Sequence, residues 1–180
     1  MVIVMERILI LTTVAKNNHI YLIIISIVIF ILYIISVICL FNIPWSISNT
    51  YYLLEERCKG LGWLFTMFCY GVGGFLLPGW LNMTPESYQY TCFLSVAGLA
   101  FVGTAAQFKE SLTNTVHYTA AVICCLFSQI WCIMAGFWLV SLLSFVFFLC
   151  VAGFSKRKNW MFWVEIAAIA ATYISVIMAF

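Results

Sequence analysis

Glu165 is the one acidic residue that falls inside a long uncharged stretch of this 180-residue chain. A carboxyl group at membrane depth marks a candidate functional position by default. It lies six residues past Asn159, about 9 Å along a straight helix. Ala168, Thr172 and Ser175 follow at helical spacing and share its face. Small and polar neighbours turn that face toward other helices rather than toward lipid. Two roles fit. Glu165 works in a buried polar site, or it pairs with Lys156, Arg157 and Lys158 near the interface and anchors its helix.

His117 is the second chemical group. Ala121, Cys124 and Ser128 continue its face, and Asn114 is placed to cap the helix it opens. Its roles are a structural hydrogen bond, or a proton acceptor oriented by Glu165. Gln129 lies deeper and suits a bond between helices. Gln107, Ser46, Asn49 and Thr50 stand near helix ends on the same side as His117 and Glu165. One polar cavity open to that side, lined by Glu165, His117, Gln107, Ser46, Asn49, Thr50 and Gln129, is therefore expected. Glu165 and His117 should lie within direct or water-mediated reach. The plainer alternative is that helix ends are polar for solvation alone.

Other chemistry is thin. Seven of the eight cysteines lie in apolar stretches and only Cys58 in a polar connection. No CxxC pair or zinc spacing occurs, so the thiols read as small packing residues. The chain has no Asp, which excludes aspartate-based proteolysis and aspartate-bound metals. Neither HExxH, GxSxG nor a phosphate loop after Gly60 and Gly62 is present. No metal or cofactor is called for, and without an evident nucleophile the reading leans away from an enzyme.

The elements that must position these groups are membrane helices. The chain is 66% hydrophobic and 8% charged, with net charge +2. Soluble domains carry roughly 25% charged residues. This excludes a soluble enzyme, a disordered tail and a nucleic-acid module. A crossing takes about 20 apolar residues. Residues 20–43 form the first such run, stopped by Pro44. Residues 61–81 form the second. Thr84, Pro85 and Glu86 give the start signals of a third over 85–107. The uncharged stretch 118–154 would be roughly 55 Å long as one helix, too long for one crossing. It splits at Gly136 into spans 115–134 and 137–154, with Trp131 and Trp138 as interface rings. Span 159–180 is the last. The fold class is all-α: a polytopic membrane bundle of six transmembrane helices. Residues 1–19 read as an interfacial segment in preference to a signal peptide.

Basic residues set the orientation. Arg57, Lys59, Lys109, Lys156, Arg157 and Lys158 fall on one side, Arg7 and Lys16 on the other. The six-to-two bias places the first group in the cytosol. Both termini should then face outward across the cytoplasmic (plasma) membrane.

Pro44-Trp45-Ser46-Ile47-Ser48 after the first span, LGWLF with glycines in the second and GLAFVG in the third form a pattern, completed by a single His117 opening the fourth. It resembles uncharacterised bacterial six-helix membrane proteins distantly similar to the DRAM-like family. The resemblance spans 40–180, implies six helices without an established activity, and singles out Ser46 and His117. The long Ile-rich start departs from it. Three functions fit, in this order: an accessory protein binding membrane lipids or another membrane protein; a small-solute carrier or channel; an intramembrane lipid-modifying enzyme. One buried carboxyl and no inverted repeat count against the second.

Overall fold

The computed structural model describes residues 2–107, 111–154 and 159–180, with side chains over 19–107, 115–152 and 159–180. Lys109 and Lys156–Lys158, four of the six basic residues assigned to the cytosolic side, lie outside the described residues. The described chain is all-α, with seven helices. Four are long and apolar enough to cross a membrane, and a fifth apolar helix is shorter.

Helix α1 runs Val2–Phe41, about 60 Å at 1.5 Å per residue. Its apolar span is His19–Phe41. There is no helix break between the N-terminal segment and the first span. The helix stops at Phe41, two residues earlier than expected, because Asn42 takes φ 60°. Asn tolerates this left-handed conformation and ends helices there.

Helix α2, Thr50–Arg57, falls in a stretch with no span signal. Its first N–H groups bond loop carbonyls: Thr50 to Ile47 and Tyr51 to Ser48. It buries Thr50, Tyr51 and Leu54 and exposes Tyr52 and Arg57. Any side chain at position 62 would strike the Tyr51 ring, with a Cβ only 2.6 Å from it. The Glu55 carboxylate accepts the N–H groups of Gly60 and Gly62 and closes the turn into α3.

Helix α3, Trp63–Met83, buries Phe65, Cys69, Val72, Leu76 and Trp80, one stripe at steps of three and four. Thr84 does not cap the next helix as its sequence context suggests. Its hydroxyl bonds back to the Trp80 carbonyl at 2.6 Å, ending α3. Pro85 leads into a 3-10 turn over Glu86–Tyr88, and α4 begins only at Gln89 and runs to Ala105. Gln89 Nε2 donates to the Leu81 and Thr84 carbonyls, supporting the end of α3.

Helix α5, Ser111–Met134, starts ahead of Asn114, which therefore lies inside the helix and does not cap it. A turn at Gly136, φ 90°, leads to α6, Trp138–Phe154. Helix α7 spans Trp160–Ala179. Trp138 is exposed, but Trp131 is no interface ring. It is buried, with its indole N–H on Thr84 at 2.8 Å and its ring 5.3 Å from that of Trp80. The polar N–H found a partner inside, which removes the reason for an interfacial position.

The chain packs α1 on α3, α3 on α4, α4 on α5, and α6 on α7. Small residues set the closest approach: a Cβ on Gly98 of α4 would lie 2.7 Å from the Ala120 carbonyl of α5. Ser26 of α1 donates to the Val72 carbonyl at 2.8 Å and pairs with the Tyr173 hydroxyl at 2.6 Å, joining α1, α3 and α7.

Candidate functional site: a cavity roofed by the Pro44–Asn49 loop

The loop that follows α1 folds over the starts of α3, α5 and α7. Its backbone is held from below. Trp45 accepts the Phe162 N–H at 3.0 Å, one of the first-turn donors that a helix cannot satisfy itself. Two residues on, the Ile47 N–H donates to Glu165 Oε2 at 2.5 Å. The loop also organises itself. Ser46 Oγ accepts the Asn49 N–H at 3.0 Å and lies 3.1 Å from Ser48 Oγ. Thr50 donates to the Ile47 carbonyl and pairs with the Tyr33 hydroxyl. The Tyr33 ring stacks on Phe68 of α3 with centroids 3.9 Å apart. The loop is thereby tied to α1 and α7 at once.

Beneath it lies a cavity of about 250 Å³. Phe65, Phe68, Leu99 and Val102 form apolar wall, with the thiols of Cys69 and Cys124. Ser46, Ser48, His117 and Glu165 supply its polar points. Trp45, Tyr118 and Val122 also line the cavity and are exposed, so it reaches the surface along that edge. A smaller chamber of about 140 Å³ adjoins it, lined by Ser46, Ser48, Asn49, Tyr52 and His117 among others.

The residues singled out by sequence divide into two groups. Glu165, His117 and Ser46 share the larger cavity, and Asn49 joins Ser46 and His117 in the smaller one. Thr50, Gln107 and Gln129 line neither. Thr50 is fully buried and serves the loop. Gln107 is turned to Thr66, donating to its hydroxyl at 2.9 Å. Gln129 bridges three helices: it donates to the Ala168 carbonyl of α7 and accepts from Ser141 of α6. It lines a separate groove of about 500 Å³ between α5, α6 and α7. Among the described residues no hydrogen bond joins Glu165 to His117; Glu165 is engaged with the Ile47 N–H.

Sequence reasoning missed the most consequential partner of Glu165, the Ile47 N–H, since a main-chain donor leaves no residue signal. It also missed the walls, because Phe65, Leu99 and Val102 look like any apolar residue of a span. Among the described residues no three His, Cys or Glu side chains gather as metal ligands would. The chemistry on offer is recognition by a few polar groups in a mostly apolar chamber.

These features define a helical integral membrane protein. Comparison with protein-family models, curated proteins and solved structures finds no match for this chain.

Proposed function

We propose that this is an accessory membrane protein that binds a lipid inside its helix bundle, in the cavity under the Pro44–Asn49 loop. The observation that supports this is the cavity's polarity. Its lining is mostly aromatic and aliphatic, reaches the surface at the exposed Trp45, Tyr118 and Val122, and includes the polar groups of Ser46, Ser48, His117 and Glu165. Binding sites of this type are mostly apolar with a few placed polar groups that fix orientation. In this reading α1, α3, α4, α5, α6 and α7 all cross the bilayer. Helices α4 and α6 have 17 residues each, at the short end of the range that spans, about 17–25. The loop side, with Arg57 and Lys59, faces the cytosol of a plasma membrane and both termini face outward.

The test is lipid retention. The protein is purified in mild detergent and its bound amphiphiles are identified by native mass spectrometry. Ala121 lines the cavity on α5, so Ala121→Phe should fill it. The wild-type protein should carry an amphiphile that the folded variant lacks. Equal retention by the two would place lipid elsewhere and overturn the reading.

A further inference from the structure

We propose that the cavity is loaded sideways from the bilayer, through a mouth between the Pro44–Asn49 loop and α5, by a ligand already dissolved in the membrane. This rests on the lipid-binding reading above and adds the route. The fastening of the loop gives the direction. The loop is tied to α7 through the Trp45 carbonyl and the Ile47 N–H. Thr50, directly after it, is tied to α1 through Tyr33. Among the described residues no hydrogen bond joins the loop to α5. The roof therefore has held edges toward α1 and α7 and a free edge toward α5.

The free edge is where the chambers reach the surface. Ser46 and Ile47, within the roof, are buried. Of the described residues that line either chamber, the exposed ones are Trp45, Tyr52, Tyr118 and Val122. Trp45 and Tyr118 border both chambers, one from the loop and one from α5, so they form the two sides of the mouth. Trp and Tyr are the residues that gather where a membrane meets water. Val122 sets the depth. The α5 span begins at Thr115, which puts Tyr118 about 4.5 Å and Val122 about 10 Å along it. A mouth bordered by Val122 thus continues below the interface, where hydrocarbon rather than water stands outside. An apolar rim at that depth admits a membrane-dissolved molecule without passing it through water. Phe65, Phe68 and Cys69 form the buried part of the wall that such a molecule would reach.

In the experiment the full-length protein in phosphatidylcholine vesicles is photolabelled with two probes. One is dodecanol carrying a diazirine on its chain, which dissolves in the bilayer. The other is a sulfonated diazirine that stays in water. Peptide mass spectrometry reads labelling of the buried wall at Phe65 and Phe68. The dodecanol probe should label it and the sulfonated probe should not. Trp45→Cys with Tyr118→Cys, in a chain whose exposed Cys39, Cys58 and Cys150 are changed to Ser, allows the mouth to be bridged after folding with a short bis-maleimide. Bridging should abolish labelling of the buried wall and leave labelling of the exposed Leu143 on α6 unchanged. Val122→Trp narrows the same mouth without a reagent and should lower wall labelling. Wall labelling that survives both changes overturns the route and leaves lipid binding intact. Wall labelling by the sulfonated probe opens the cavity to water and does the same. A wall that neither probe labels removes the lipid-binding reading as well.

Discussion

Glu165 of α7 accepts the backbone N–H of Ile47, 118 residues earlier in the chain. The contact joins the roof of the cavity to its floor. A carboxyl oxygen held by a main-chain donor satisfies a loop N–H that no helix or strand partner takes. The same side chain lines the cavity, so fastening the loop and shaping the site are one task.

Glu165→Leu should leave the Ile47 N–H without an acceptor. An unsatisfied buried donor costs about 1–3 kcal/mol, read as lowered stability in detergent unfolding. Glu165→Gln keeps an amide oxygen and should lose less. In both, the loop should loosen, so a cysteine at Ser48 should react faster with maleimide in the order Leu, Gln, wild type. Equal rates in all three would show that the contact does not hold the loop.

Helix spacing yields the second prediction. Gly98 meets backbone of α5, with the Cys124 nitrogen 2.7 Å from where a Cβ would sit. Backbone cannot move aside as a side-chain tip can. Gly98→Ala should therefore cost about 1–3 kcal/mol as overpacking. Gly74 on α3 has nothing within 4 Å of its added Cβ. Gly74→Ala should leave stability unchanged or slightly raised, since Ala is the better helix former. Similar thermal shifts for the two would contradict this packing.

Thr84 carries the third. It donates to the Trp80 carbonyl and accepts the Trp131 indole N–H. Thr84→Val keeps the shape and removes both bonds, leaving the buried indole unpaired. The expected loss is about 1–3 kcal/mol, with Thr84→Ser close to wild type. Matching stabilities of the Val and Ser variants would mean the hydroxyl contributes nothing.

Much of this fold was legible in the chain. Uncharged runs marked the four helices that are long and apolar enough to cross a membrane, Gly136 marked the turn between α5 and α6, and the Ala168, Thr172 and Ser175 spacing placed Glu165 on an inward face. Thr172 and Ser175 are indeed buried. Short α2 was not legible, because TYYLLEER carries too few apolar residues for a span. Its helix depends on Tyr51 packing into space that Gly62 leaves open. The start of α4 was misplaced because Thr84 and Pro85 mimic a helix start. Thr84 in fact bonds backward, a choice that only the position of Trp131 explains. Gln107 and Gln129 share the polar character of the site but are drawn off by Thr66 and by Ala168 and Ser141. Those contacts lie far apart in sequence.

Orientation gives a fourth prediction. Cys58 is exposed in the turn between α2 and α3, and Asn82 is exposed at the far end of α3. An impermeant thiol reagent should reach Cys58 from the cytosolic face and a cysteine at Asn82 from the outer face. Changing Lys156, Arg157 and Lys158 to Gln lowers the basic-residue bias from six-to-two to three-to-two, which should weaken or mix the orientation. Labelling of both sites from one face would contradict the crossing by α3.

Photo-crosslinking tests the central claim most directly. A monoacylglycerol with a diazirine on its chain is added to the protein in membranes, activated, and mapped by peptide mass spectrometry. Crosslinks should concentrate on cavity walls from separate helices, around Phe65, Phe68, Leu99 and Cys124, and should fall when Ala121→Phe fills the space. Crosslinks confined to outward residues of α6 such as Leu143 and Phe145, which are exposed, and unaffected by Ala121→Phe, would show a protein that merely sits in lipid. That result would contradict the lipid-binding account.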